Sequence, residues 1–217
     1  MKAYRFVVAA FLLLLVAMPA AFAAETVQEH MDNAILAEMD GDYDDAIAEC
    51  NKAIDLDPNY ADAYAERGYN YNSKKYYDQA IADETKAIEL NPNFSFAYAE
   101  RGYDYYNQRN YYQAIKDCNK AIEIDSKNDR AYQFRGYAYT EQGNYEQAVA
   151  DETTAIGIRP DGWAYVGRAC AYEYLQQYDK AWDDVHKAQS MGIDVNDVNN
   201  SYPNLLDDLR RATGRDE

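Results

Sequence analysis

From residue 27 onward the apolar positions of this chain recur with a helical period. Tyr64, Arg67, Gly68 and Tyr71 are spaced i, i+3, i+4, i+7 and share one helix face. Ala80, Ile81, Glu84, Ala87 and Ile88 share the face of a second helix. Lys74-Lys75-Tyr76 lies between them as a turn. Asn91-Pro92-Asn93 ends the second helix, because proline cannot continue it and pushes the preceding residue toward extended backbone. The pattern predicts a helix, a tight turn and a second helix, with small Gly68 and Ala80 letting the pair approach closely.

The same pair recurs at a fixed interval. Tyr43, Tyr77, Tyr111 and Tyr145 are 34 residues apart, as are Ala46, Ala80, Ala114 and Ala148, and Gly68, Gly102 and Gly136. Pro58, Pro92 and Pro160 keep this register, with Ser126 at the missing proline. One residue is lost after Pro160, and the register resumes at Tyr165, Arg168, Tyr172, Tyr178, Ala181 and Ala188. Five units follow: 27–60, 61–94, 95–128, 129–161 and 162–194. A longer period of 68 is nested inside, since Glu49-Cys50-Asn51-Lys52-Ala53-Ile54 matches residues 117–122 and Asp83-Glu84-Thr85-Lys86-Ala87-Ile88 matches 151–156. A duplicated two-repeat unit extends a stacking surface rather than assembling one active site. Beyond the fifth unit, Tyr202, Leu205, Leu206 and Leu209 return to helical spacing, and Pro203 suits a first turn. Residues 195–217 are expected to form a capping helix and tail.

These units resemble tetratricopeptide repeats, whose W-x2-L-G-x2-Y…A-x3-F…P pattern is answered by Y-A-E-R-G-Y-N-Y at Tyr64–Tyr71 and then by Tyr77, Ala80, Ala87 and Pro92. The resemblance implies an all-α fold, a right-handed α-solenoid of antiparallel helix pairs with a concave groove, and binding rather than catalysis. Two departures are systematic. Arg67, Arg101, Arg135 and Arg168 replace the leucine before the glycine, and Cys50, Glu84, Cys118 or Glu152 stands where an aromatic is usual. The chaperone-tail clamp of the family needs Lys and Asn where this chain has Ala65 and Ala99, then Tyr69 and Tyr103. That carboxylate clamp is therefore not expected.

Charge and termini narrow the picture. Lys and Arg number 21 against 38 Asp and Glu, a net charge of −17. An acidic chain lacks the basic face that nucleic acid requires. Lys2 and Arg5, the apolar stretch Phe6–Met18 and Ala21-Phe22-Ala23 form the pattern of a secretory signal peptide over residues 1–23. The apolar run is too short to span a bilayer, so no membrane span is expected after cleavage. The mature chain would carry 19 basic and 38 acidic residues, a net charge of −19. Export to a bacterial periplasm or beyond is the expected destination.

Two regular sets of residues could carry function. Arg67, Arg101, Arg135 and Arg168 run in phase with Glu49, Asp83, Asp117, Asp151 and Asp184, which suggests a structural ladder of ion pairs; arginine's planar fork suits a carboxylate bidentately. The competing reading lines the groove with these arginines to hold an acidic ligand. By the resemblance, the concave face carries Phe96 and Trp163; Tyr69, Tyr103 and Tyr137; Asn72, Tyr106 and Glu173; and Asn107 and Tyr174. Tyrosine brings apolar area with a polar handle, which suits recognition of a peptide, basic or aromatic. Packing between adjacent helices explains Tyr69, Tyr103 and Tyr137 equally well.

No catalytic constellation is found. Cys50 and Cys118 are two repeats apart, too far for a disulfide, and three free, mostly buried thiols are expected. His30 and His186 are too far apart to share a metal. Asp40-Gly41-Asp42-Tyr43-Asp44-Asp45 lacks the glycine and terminal glutamate spacing of a calcium loop. No nucleophile elbow, zinc motif or phosphate loop is present. The expected protein is a non-catalytic adaptor or scaffold of the cell envelope without metal or cofactor. It would bind an extended peptide in a tyrosine-rich groove. The alternative is a peptidoglycan or carbohydrate binder.

Overall fold

A computed structural model describes residues 26–194, 198, 202 and 204–214. The leader expected at 1–23 and Pro203 lie outside the described residues. The chain forms α1 (Val27–Met39), α2 (Tyr43–Leu56), α3 (Ala61–Ser73), α4 (Tyr77–Leu90), α5 (Ser95–Asn107) and α6 (Tyr111–Ile124). These are followed by α7 (Asp129–Glu141), α8 (Tyr145–Ile158), α9 (Gly162–Tyr174), α10 (Tyr178–Ser190) and α11 (Leu205–Thr213). The described residues contain no strand. The first ten helices form five consecutive pairs, and the odd-numbered helix of each pair also packs on its odd-numbered neighbours from α3 to α9. The even-numbered helices pack on the odd ones before and after them, so the odd helices line the inside of an α-solenoid.

Side-chain size sets the spacing within a pair. Ala46, Ala80, Ala114, Ala148 and Ala181 are fully buried. A Cβ on Gly102 would stand 2.7 Å from the Cys118 sulfur, and one on Gly68 3.0 Å from Glu84 Cγ. Any larger residue at these glycines pushes the pair apart.

Both kinds of turn follow from backbone chemistry. Asp57, Asn91 and Arg159 end their helices in extended backbone (φ −137°, −133° and −143°), as a residue before proline must. Asp125 adopts φ −134° before Ser126, so the neighbouring repeats impose this turn even without proline. Within each pair the turn passes through a left-handed residue at Gly41, Lys75, Arg109, Gly143 and Gln176, with φ between 59° and 79°. Only two of the five are glycine, and the side chains at the other three hold a conformation that costs roughly 1–2 kcal/mol.

The stack ends differently at its two termini. At the C-terminal end α11 buries Leu205, Leu206 and Leu209 against Val166, Trp182 and Val185. Burial of this kind contributes roughly 1.5–3 kcal/mol per leucine. Trp182 Nε1 also donates to the Thr213 hydroxyl at 3.1 Å. At the N-terminal end Leu36 is 59% exposed, although the same register position in the next three repeats, Asn70, Asp104 and Ala138, is fully buried.

Candidate functional site: an aromatic groove above a ladder of ion pairs

The four in-phase arginines, Arg67, Arg101, Arg135 and Arg168, do not line the groove. Arg67 donates from Nε and Nη2 to the two oxygens of Asp83 at 2.6 and 2.7 Å. Arg101 grips Asp117 at 2.6 and 3.0 Å, Arg135 grips Asp151 at 2.7 and 2.7 Å, and Arg168 grips Asp184 at 2.8 and 2.7 Å. Each pair joins the two helices of one repeat. The remaining Nη1 reaches back to the preceding repeat, to Asn51, Thr85, Asn119 and Thr153 in turn. One guanidinium thus ties three helices. Tyr64, Tyr98, Tyr132 and Tyr165 lie 5.4–5.6 Å from the same guanidinium carbons. Glu49 departs from the set. Asn33 holds the arginine's register in the first repeat, and Glu49 Oε2 instead meets the buried His30 Nδ1 at 2.7 Å while Oε1 accepts from Lys52.

The odd helices α3, α5, α7 and α9 together wall a groove of about 660 Å³. Seven of the ten residues expected on the concave face line it: Tyr69, Asn72, Tyr103, Tyr106, Asn107, Tyr137 and Trp163. Phe96 packs against the Ala65, Ala87 and Ala97 cluster, 6.5 Å from the Tyr69 ring and 6.0 Å from Phe94. Tyr174 faces a separate recess of about 290 Å³ together with Glu173 and stacks on Tyr145 at 4.6 Å. The groove tyrosines serve packing as well as surface. Tyr103 stacks on Phe134 at 4.3 Å, and Tyr106 meets Tyr137 at 5.7 Å. Burial raises the pKa of the Tyr69, Tyr103, Tyr106 and Tyr137 hydroxyls, which keeps them protonated.

Several lining residues go beyond those read from the sequence. Arg130 shares the register of Phe96 and Trp163, and Phe134 that of Glu66 and Glu100, so the 34-residue period could have placed both. Tyr202 belongs to the capping segment and has no repeat register to betray it. The charges here are paired. Arg130 binds the buried Glu100 and lies over the Tyr69 and Phe96 rings at 5.3 and 5.8 Å. Arg159 pairs with Asp129 at 2.6 Å, while Asp161 caps α9 through the Trp163 and Ala164 amides. Asn72 donates to Asp104 beneath the floor. Burial lifts the Asp104 carboxyl to about 7, against the lowering effect of the neighbouring Glu84 and Asn72 side chains. The groove is aromatic and amide-lined, with its own charges balanced.

Among the described residues, no three or more His, Cys, Asp or Glu side chains are placed to hold a metal. Cys50, Cys118 and Cys170 are free and buried, and burial pushes the Cys50 and Cys170 thiols up to about 12. No described helix is long and apolar enough to cross a membrane.

Comparison with known proteins agrees with this architecture. The tetratricopeptide repeat models match residues 61–94, 95–128 and 129–161, and a further TPR repeat model matches residues 40–72. No curated protein matches the chain. Among solved structures, MamA is 25% identical over 72% of this chain and 92% of its own, with a TM-score of 0.59. TTC0263, a thermophilic TPR protein of Thermus thermophilus, is 17% identical over 83% of this chain and 99% of its own, with a TM-score of 0.71. The hetero-tetramer Cut9–Hcn1 of APC/C aligns at 16% identity over 90% of this chain and 42% of the matched chain, with a TM-score of 0.76. Matched repeats from residue 40 to 161, helix pairs in one register and a concave wall made by the first helices of four successive repeats have one common explanation: the chain belongs to the tetratricopeptide repeat family, a scaffold for protein–protein interaction.

Proposed function

We propose that this protein is a non-catalytic adaptor of the bacterial cell envelope that holds an extended, largely uncharged segment of a partner protein in the groove between Tyr69 and Trp163. The observation that carries this reading is the groove itself: about 660 Å³ walled by four successive repeats, rich in aromatic rings and amides. Aromatic side chains supply contact area at small entropic cost. Asn72, Asn107 and Gln133 can pair with a partner's main chain. The net charge of −19 left by signal cleavage lies outside the groove, where it steers a basic partner without holding it. The leader at residues 1–23 supports export, and a mature N-terminus at Ala24, read by terminal sequencing, would establish it.

Affinity capture from cell-envelope extract tests the groove. The mature protein is run beside a Tyr69→Ala/Trp163→Ala variant that melts at a similar temperature. A partner held by the wild type and lost by the variant supports the reading; equal capture by both moves the site elsewhere. The balanced charge of the groove also favours a second reading, stacking of a neutral glycan. Retention of purified peptidoglycan by the wild type, and no protein captured, would select it.

A further inference from the structure

From the second repeat onward, the even-numbered helix of each repeat covers the back of the odd-numbered helix that follows. Ala63, Ala97 and Ala131 share their clusters with Ala53, Ala87 and Ala121 of the preceding helix in this way. Seven residues further along the same face, Asn70, Asp104, Ala138 and Ala171 are fully buried. There Asp104 meets Glu84 of the preceding α4. Among the described residues α1 has no helix before it. Its residues in these two registers are Glu29 and Leu36, and both are exposed. Leu36 and Met39, one turn apart, are 59% and 78% exposed, and Ile35 lies exposed beside them. Terminal repeats ordinarily turn a polar face outward. This end presents an aliphatic strip instead, whereas the other end buries Leu205, Leu206 and Leu209 under its own capping helix.

The charge around the strip defines what fits it. Glu29 and Asp32 continue the same helix face, and from Glu29 to Glu49 the chain carries eight Asp and Glu and no Lys or Arg. The cations nearby are engaged, Lys74 with Asp44 and Lys52 with Glu49, which also meets His30. Glu29 accepts from the Thr26 amide and Asp32 from the Gln28 side chain, contacts that leave both charges uncompensated. We infer that this face of α1 is a second docking surface, apart from the groove, and that it takes a basic amphipathic helix of a partner protein. Its aliphatic side chains lie on Ile35, Leu36 and Met39, and its Lys or Arg side chains stand beside Glu29 and Asp32. The occupant is a helix because a helix covers the same face in every later repeat, so the partner adds one more layer to the stack. It is basic because covering two carboxylates without a cation is costly. A second copy of this chain would set the same acids against each other across a two-fold axis. This surface does not depend on the groove reading.

The test uses the mature protein and a fluorescein-labelled helical peptide of leucine and lysine, with leucines spaced i, i+3, i+4 and i+7. A scrambled peptide of the same composition runs beside it. The wild type should bind the amphipathic peptide and prefer it to the scramble. Leu36→Asp/Met39→Asp alters only exposed side chains, and it should bind weaker by about tenfold or more. That variant adds two acids, so attraction by charge alone would strengthen its binding. No binding by the wild type, no preference over the scramble, or a variant that binds as well as the wild type would overturn the inference. Hydrogen exchange in the wild type needs no variant to fold. With peptide bound, the amides of α1 should exchange more slowly; slowing confined to α3, α5, α7 and α9 would count against the proposal. Sedimentation of the protein alone should show a monomer. A dimer that Leu36→Asp/Met39→Asp dissociates would give the face to a second copy and overturn the proposal. Tyr69→Ala/Trp163→Ala should bind the peptide as the wild type does, and loss of the peptide there would place it in the groove instead.

Discussion

Acidic side chains enter this stack at two adjacent positions of the even-numbered helices, and the two behave in opposite ways. At the first, Asp83, Asp117, Asp151 and Asp184 each meet the fork of an arginine sixteen residues earlier. At the second, one residue further on, Glu84 and Glu152 are fully buried and neither oxygen of either carboxyl has a hydrogen-bond partner. Cys50, Cys118 and Val185 hold that position in the other repeats and need none. The contrast shows how one scaffold tolerates buried acids by two routes. Where a guanidinium is in reach, it grips both oxygens of the acid, and the pair ties helices together. Where none is, burial raises the carboxyl well above its ordinary range, and it takes up a proton instead.

The largest effect should come from breaking the paired route. Asp151→Ala leaves Arg135 inside the stack without its carboxylate, and removing one partner of a buried pair costs about 3–5 kcal/mol. Urea unfolding should show this loss. Binding should change little, because the ladder lies away from the groove.

The unpaired route should make stability depend on pH. For Glu84, Glu152 and Asp104 the folded chain holds protons that the unfolded chain releases near the ordinary values of 4.5 and 3.8. The stabilisation is fully present below those values and is lost as pH rises, through about 7 for Asp104. Each group contributes a slope on the order of 1.4 kcal/mol per pH unit across its window. The melting temperature should rise as pH is lowered from 8 to 5.5; a flat or falling profile would show these acids ionised and paired. Replacing one of them sharpens the comparison. Glu84→Met fills the same space without a proton to lose, and should add about 1–3 kcal/mol at pH 8 while flattening the profile.

The smallest effect lies outside both routes. Arg109 holds a left-handed turn at φ 63°, where Gly41 and Gly143 hold the equivalent turns. Arg109→Gly should add about 1 kcal/mol, by removing that strain net of the entropy that glycine brings to the unfolded chain. A lower melting temperature would show that the arginine side chain contributes more than its backbone costs.

Much of this was legible in the chain. A strict period of 34 repeats the same local problem five times, so the helix pairs and the tight glycines can be read from spacing. The arginine–aspartate register can be read in the same way. Glu49 shows where that reading stops. Its partner, His30, lies nineteen residues away rather than sixteen, because the first repeat carries Asn33 in place of the arginine. Arg130 is in register with Phe96 and Trp163, so spacing places it in the groove, but its role needs Glu100 and the Tyr69 and Phe96 rings around it, which spacing does not give. Phe96 and Tyr174 illustrate the converse: both share a groove register, but Phe96 packs on the Ala65, Ala87 and Ala97 cluster and Tyr174 faces a separate recess.

The sequence by itself determined the fold class and the family, because helical periodicity and small-residue contacts are local and recur in phase. The tertiary structure alone decided which acids are paired and which hold protons, and that the groove's charges are balanced. Each of these depends on residues far apart in the chain meeting at low dielectric, and a distance of that kind has no period along the sequence.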